Sequence, residues 1–115
     1  MRARKASTRR RGPPSPVALD ALIEEAIIDA NGMSEERVGF FTMLEEHLAV
    51  PFDVELLGVT VTVERIELTD DERIIAVCRR GRFRQAISIM DLPMPARVPP
   101  GVEWIAAYRR WARWQ

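Results

Sequence analysis

The sequence predicts an α+β domain with an N-terminal helical hairpin, a small, bent SH3-like β-sheet or barrel, and a C-terminal aromatic helix. Three observations predict this class: two stretches of helical apolar periodicity, a β-branched run with period two, and aromatic residues at helical spacing near the end. The length of 115 residues suits a single domain, which we assign to residues 17–115. No apolar run approaches the roughly 18 residues of a membrane helix, so no membrane partner is expected.

Residues 1–16 differ from the rest, and we expect them to be a disordered basic tail. They carry six basic residues and three prolines, with no valine, leucine or isoleucine to contribute to a core. The arginines at positions 9–11 are not followed by the apolar segment of an export signal, so a signal peptide is not predicted.

Two helices are predicted for the first half of the domain. Ser15 is a good N-cap and Pro16 a good first helical residue, and the apolar residues that follow recur at three- and four-residue spacing. Gly32 is placed to end this helix. Ser34 is expected to cap the second helix, which ends before Pro51.

Three short strands are predicted to follow as a meander, which is typical of a small barrel. They cover residues 59–63, 73–79 and 83–89. The apolar phase slips after Val63, which indicates a bulge near Glu64 and Arg65. Acidic residues 70–72 mark the first turn, and Arg80 with Gly81 marks the second.

The last helix is predicted from an aromatic stripe that should dock on the core of the domain. The stripe consists of Trp104, Ile105, Tyr108, Trp111 and Ala112, while Trp114 falls outside it. The opposite face carries Arg109, Arg110 and Arg113.

Cysteine and histidine are too few for several kinds of site. The single Cys78 allows no internal disulfide, and with the lone His47 it supplies too few ligands for structural zinc. Neither a phosphate-binding glycine loop nor a nucleophile elbow is found, so an enzyme is not expected. A buried, reduced Cys78 and a cytoplasmic location are the predictions.

The net charge of zero conceals three blocks of charge. Residues 1–17 carry +6, residues 18–72 carry −13, and residues 73–115 carry +7. Such a partition bears on partners and ions rather than on the fold.

Carboxylates at the ends of helices point to a cation site. Glu45 and Glu46 fall in the last turn of the second helix, where the helix dipole disfavours anions, and no Lys or Arg lies three or four residues away. Asp29 repeats this pattern at the end of the first helix. Glu35 and Glu36 fall in a first turn, where the dipole stabilises them.

A second acidic group, Asp70, Asp71 and Glu72, lies on the turn between two predicted strands, and Asp53 lies just after the second helix. Loop and helix-end carboxylates together supply oxygen ligands of the kind that Ca²⁺ prefers. The candidate metal residues are therefore Asp29, Glu35, Glu36, Glu45, Glu46, Asp70 and Asp71. The alternative is a solvated acidic face without a bound ion.

Several segments between residues 22 and 113 carry a family resemblance. In the helical half they are residues 25–30, 35–36, 39–41, 44–46 and 50–52; in the β-half, residues 61–63, 76–77 and 87–92; at the end, residues 104–111. Together they resemble the small bacterial calcium-binding proteins first known from cyanobacteria. The resemblance implies a compact α+β fold, Ca²⁺ bound by surface carboxylates, and a regulatory, signalling or buffering role without catalysis. By position, the family's acidic residues match Asp29, Glu35, Glu36, Glu45 and Glu46.

The alternative function is nucleic-acid binding by a small barrel. Arg79, Arg80, Arg82 and Arg84 surround the last predicted turn, and the basic tail adds six charges. Phe83 is the only aromatic residue nearby and is expected to face the core, and the acidic block repels a polyanion. Calcium is therefore the predicted ligand and nucleic acid the alternative.

Overall fold

The computed structural model describes residues 14–115 and has seven elements of regular secondary structure. They are α1 (Pro16–Ile27), α2 (Met33–His47), β1 (Phe52–Leu56), β2 (Val59–Leu68), β3 (Ile74–Arg80), β4 (Phe83–Ser88) and α3 (Glu103–Arg113). The four strands form an antiparallel sheet in the order β1-β2-β3-β4. The α+β class is thus confirmed, with an open sheet rather than a closed barrel, and an SH3-like arrangement stays a prediction.

The start of α1 agrees with the sequence. Ser15 is extended, and its hydroxyl accepts a hydrogen bond from the backbone N–H of Ala18 at 3.1 Å, while Pro16 begins the helix. The predicted tail lies outside the described residues, except for positions 14–16. Among residues 14–115, no helix has the length and apolar character needed to cross a membrane.

The junction between α1 and α2 differs from the prediction. Helix α1 ends at Ile27, and the next residues include Asp29 with a left-handed φ of 69°. Gly32, with φ 97°, is the N-cap of α2, so it begins the second helix rather than ending the first. Ser34 is therefore inside the helix, and the Glu35 carboxylate accepts from the backbone N–H of Asn31 at 2.8 Å.

The sheet contains one strand more than the sequence predicted. Strand β1 was not predicted, because Pro51 indicated only the end of a helix, although Phe52, Val54 and Leu56 alternate with two acidic residues. The predicted bulge is confirmed by the register shift between Val63 and Arg65 in the pairing of β2 with β3.

The core lies between one face of the sheet and the helices. Phe40 of α2 is fully buried, with its ring centroid 5.4 Å from that of Tyr108 and 5.3 Å from that of Trp111. A Cβ atom at Gly39 would collide with the carbonyl oxygen of Ala26, so glycine permits the close approach of α1 and α2. The aromatic stripe of α3 is thus confirmed as a face that packs on the core.

Several single residues have the expected environment. Cys78 is buried, which raises the pKa of its thiol. His47 lies at the boundary and stacks on Trp104 at 5.4 Å, and Trp114 is exposed. Arg109 instead turns inward and donates to the backbone carbonyls of Ile89 and Leu92.

Candidate functional site

The structure brings part of the predicted acidic set together between α1 and α2. Asp29, Ser34 and Glu35 line one open groove of about 340 Å³, whose apolar side includes Ile28 and Val38. We call this feature the acidic groove. Asp29 and Glu35 are both exposed there. The hydrogen bond from the backbone N–H of Asn31 reaches Oε1 of Glu35 and not Oε2. The groove therefore presents carboxylate oxygens beside a hydroxyl group.

The acidic turn between β2 and β3 lies next to the start of α2. Ser34 Oγ donates to Glu72 Oε2 at 2.7 Å, and Arg37 Nη1 donates to Glu72 Oε1 at 3.2 Å. Asp70 and Asp71 are exposed on this same turn. Glu72, which belongs to the predicted acidic group but not to the seven candidate ligands, is the residue that attaches the turn to the helix.

Besides Glu35, two more of the predicted ligands have hydrogen-bond partners within the fold. Glu36 accepts a hydrogen bond from Trp111 Nε1 at 2.9 Å, which connects α2 to α3. Asp71 accepts from the Thr69 hydroxyl and from Arg73 Nε, the latter at 3.1 Å. The Thr69 hydroxyl and then the Arg73 guanidinium hold the pKa of Asp71 below its usual value. Both carboxylates therefore have a structural role: Glu36 connects two helices, and Asp71 stabilises its own turn.

Glu45 and Glu46 are remote from the acidic groove. They lie ten or more residues after Glu35 on the same helix, which places them about 15 Å further along its axis. Both are exposed, and Glu46 lies 3.9 Å from His47 Nε2. Within residues 14–115, no group of three or more His, Cys, Asp or Glu side chains converges as a metal site. The seven candidates thus do not form one cluster.

The four arginines of the alternative site divide into two pairs. Arg79 and Arg84 are opposite each other in the β3–β4 register and both bind Glu64, with Nε–O distances of 2.6 and 2.8 Å. Hydrogen bonds from Arg84 and then Arg79 lower the pKa of Glu64 from 4.5 to about 2. The positive charge of this pair is therefore partly neutralised within the sheet.

Arg80 and Arg82 form the second pair. In the described part of the chain, neither has a carboxylate within 4.0 Å. Arg80 lies opposite Phe83 in the register, and the Arg82 guanidinium is 5.7 Å from the centroid of the Phe83 ring. Phe83 is 71 % exposed, so the expectation that it faces the core is wrong. The first four residues of β4 are all exposed.

Sequence reasoning also missed Leu57, which is fully exposed. Leu57 and Gly58 connect β1 to β2 with φ angles of 52° and 80°. Positive φ at two central turn residues is typical of a two-residue hairpin, in which Asn-Gly is the usual pair. The alternation on both sides of Leu57-Gly58 was the available signal for this hairpin.

Comparisons with protein-family models, with curated proteins and with solved structures gave no match for this chain. The resemblance to the small calcium-binding proteins therefore stays a prediction, and the functional argument depends on the side chains described above.

Proposed function

We propose that the protein binds Ca²⁺ reversibly at the acidic groove and acts as a regulatory or buffering protein without catalysis. The observation that carries this proposal is the position of Asp29 and Glu35, two exposed carboxylates that line the same groove. The family resemblance includes these two positions among the five acidic residues that it matches, with Glu36, Glu45 and Glu46 as the others. A cytoplasmic location belongs to this proposal, since a lone cysteine is compatible with a reducing compartment.

The ligand chemistry suggests modest affinity. Calcium takes six to eight oxygen ligands and accepts carboxylates, hydroxyls, main-chain carbonyls and water. Asp29 and Glu35 supply up to four carboxylate oxygens, and Ser34 adds a hydroxyl. Because only two charged ligands are available, we expect a dissociation constant of about 10⁻⁴ to 10⁻³ M.

Calorimetric titration of Ca²⁺ into chelator-treated protein, with Mg²⁺ as competitor, tests the proposal. The double variant Asp29→Asn/Glu35→Gln should weaken binding by about tenfold or more, since it removes both ligand charges. Glu45→Gln/Glu46→Gln is the matched control, with the same loss of charge at the other end of α2. Weakening by the control alone would move the site to that end, and no saturable binding below millimolar Ca²⁺ would contradict the proposal.

We infer a second candidate function, nucleic-acid binding, from the exposure of Phe83 beside Arg80 and Arg82. An exposed aromatic ring next to cations without carboxylate partners is the combination that binds bases and phosphates. An electrophoretic shift that weakens steeply with salt is expected. Replacing the six basic residues of the tail by glutamine separates the contribution of the tail from that of the sheet. An absent or salt-insensitive shift would contradict this function.

A further inference from the structure

The antiparallel order of the strands places two exposed turns at the same end of the sheet. The β1–β2 turn carries Leu57, and the β3–β4 turn carries Arg82, followed by Phe83. Because neighbouring strands are about 4.8 Å apart, the two hairpins are centred about 10 Å from each other. We call residues 57–58 and 80–83 the basic end.

The charge of the basic end comes from Arg80 and Arg82 alone. Arg80 shares a sheet face with Phe83, whereas Arg79 and Arg84 share the opposite face with Glu64 bound between them. Positive charge without a carboxylate partner is therefore concentrated around one aromatic ring. Arg82 lies over that ring, and most of the Phe83 surface remains accessible.

We propose that the basic end binds a single-stranded nucleic acid, with a base stacked on Phe83 and neighbouring phosphates bound by Arg80 and Arg82. This inference rests on the second candidate function and names its substrate class. A ring can stack only on a base that is free of its own neighbours, which single strands provide and duplexes do not. Two arginines neutralise too few phosphates to hold a duplex by charge alone.

An anionic membrane surface is the competing partner for an end with exposed Leu57 and Phe83. Binding to such a surface grows with the buried apolar area and with the number of basic residues, and typical sites have clusters of four to eight Lys or Arg. The basic end has two arginines and two apolar side chains. Stacking on Phe83 does not need a larger cluster, so the single strand is the better fit.

The first test is fluorescence anisotropy with the full chain and a labelled oligothymidine of about 12 nucleotides. Phe83→Ala should weaken binding by about 5- to 150-fold, the range for loss of one stacked base, and Phe83→Trp should restore it. Trp114→Ala is the matched control, because Trp114 is another exposed aromatic residue, 77 % exposed, at the end of α3. Circular dichroism of each variant verifies that the fold is kept.

The second test measures the salt dependence. Loss of two single-strand phosphate contacts in Arg80→Gln/Arg82→Gln should reduce the slope of log K against log salt by about 1.4. Arg97→Gln, an exposed arginine on the loop before α3, should leave the binding constant close to that of the parent protein.

The outcomes separate this inference from the function on which it rests. Two results would overturn the inference and leave nucleic-acid binding standing. The first is salt-dependent binding of the oligonucleotide that Phe83→Ala does not weaken. The second is a duplex that binds as tightly as the single strand. If no oligonucleotide binds, the inference and the function both fall. Binding to phosphatidylserine-containing vesicles without oligonucleotide binding would assign the basic end to a membrane surface and overturn the inference.

Discussion

The helix-packed side of the molecule and the basic end use the same residue types in opposite ways. Phe40 is fully buried against Tyr108 and Trp111, whereas Phe83 is 71 % exposed. Arg37 is partnered by Glu72 and lies 5.7 Å from the centroid of the buried Trp111 ring, whereas Arg82 lies 5.7 Å from the centroid of the exposed Phe83 ring. Residue type therefore does not determine a structural or a binding role in this chain. What decides it is whether tertiary structure supplies a partner.

The largest expected effect is the difference between two phenylalanine truncations. Phe40→Ala should destabilise the fold by about 3–5 kcal/mol, because it removes a buried ring and leaves a cavity. Phe83→Ala should change the free energy of unfolding by no more than about 0.5 kcal/mol, since the ring is mostly in solvent. Urea denaturation of both variants measures this, and similar losses would contradict the contrast between the two regions.

The next effect concerns the hydrogen bond between α2 and α3. Trp111→Phe removes the indole N–H that donates to Glu36 at 2.9 Å together with part of a buried ring. We expect a loss of about 1.5–3 kcal/mol for the bond to a charged group, to which the lost packing adds. Trp114→Phe, at the exposed residue that follows α3, is the control and should be neutral. Thermal and urea unfolding compare the two, and equal stability would show that the Glu36 contact contributes nothing.

A pH-dependent effect should come from Glu64. Its pKa is lowered from 4.5 to about 2 in the folded chain, so folding favours the ionised carboxylate. This stabilisation is fully present above about pH 4.5 and is lost as the pH falls towards 2. Glu64→Gln should therefore make stability less dependent on pH across that window, as measured by urea unfolding at a series of pH values.

The smallest expected effect is a gain at the basic end. Leu57 has a φ of 52°, a left-handed conformation that costs a leucine about 1–2 kcal/mol, while Asn adopts it more readily. Leu57→Asn should thus raise the free energy of unfolding by about 0.5–1 kcal/mol. A loss of stability in urea unfolding would mean that Leu57 makes a contact that the fold needs. The basic end would then not differ from the core in its contribution to stability.

Periodicity predicted the elements whose apolar residues meet the core. The start of α1, the bulge in β2 and the aromatic face of α3 all agree with the sequence, because each is determined by neighbours close along the chain. Strand β1 was missed although its alternation is present, since a nearby proline was weighed only as the end of a helix. The Ser34 cap was wrong because Glu35 and Gly32 complete the helix start instead.

The acidic and basic blocks, the aromatic stripe and the α+β class were determined by the amino-acid sequence itself, since composition and spacing are enough to specify them. Only the tertiary structure decided which charges are available to a ligand. Glu64, Glu72 and Glu36 meet their partners across 15, 35 and 75 residues of chain, and such distant pairings cannot be inferred from local pattern. The same holds for Phe83, because its alternation places it on the core face of the sheet, yet the first four residues of β4 are exposed in the folded chain.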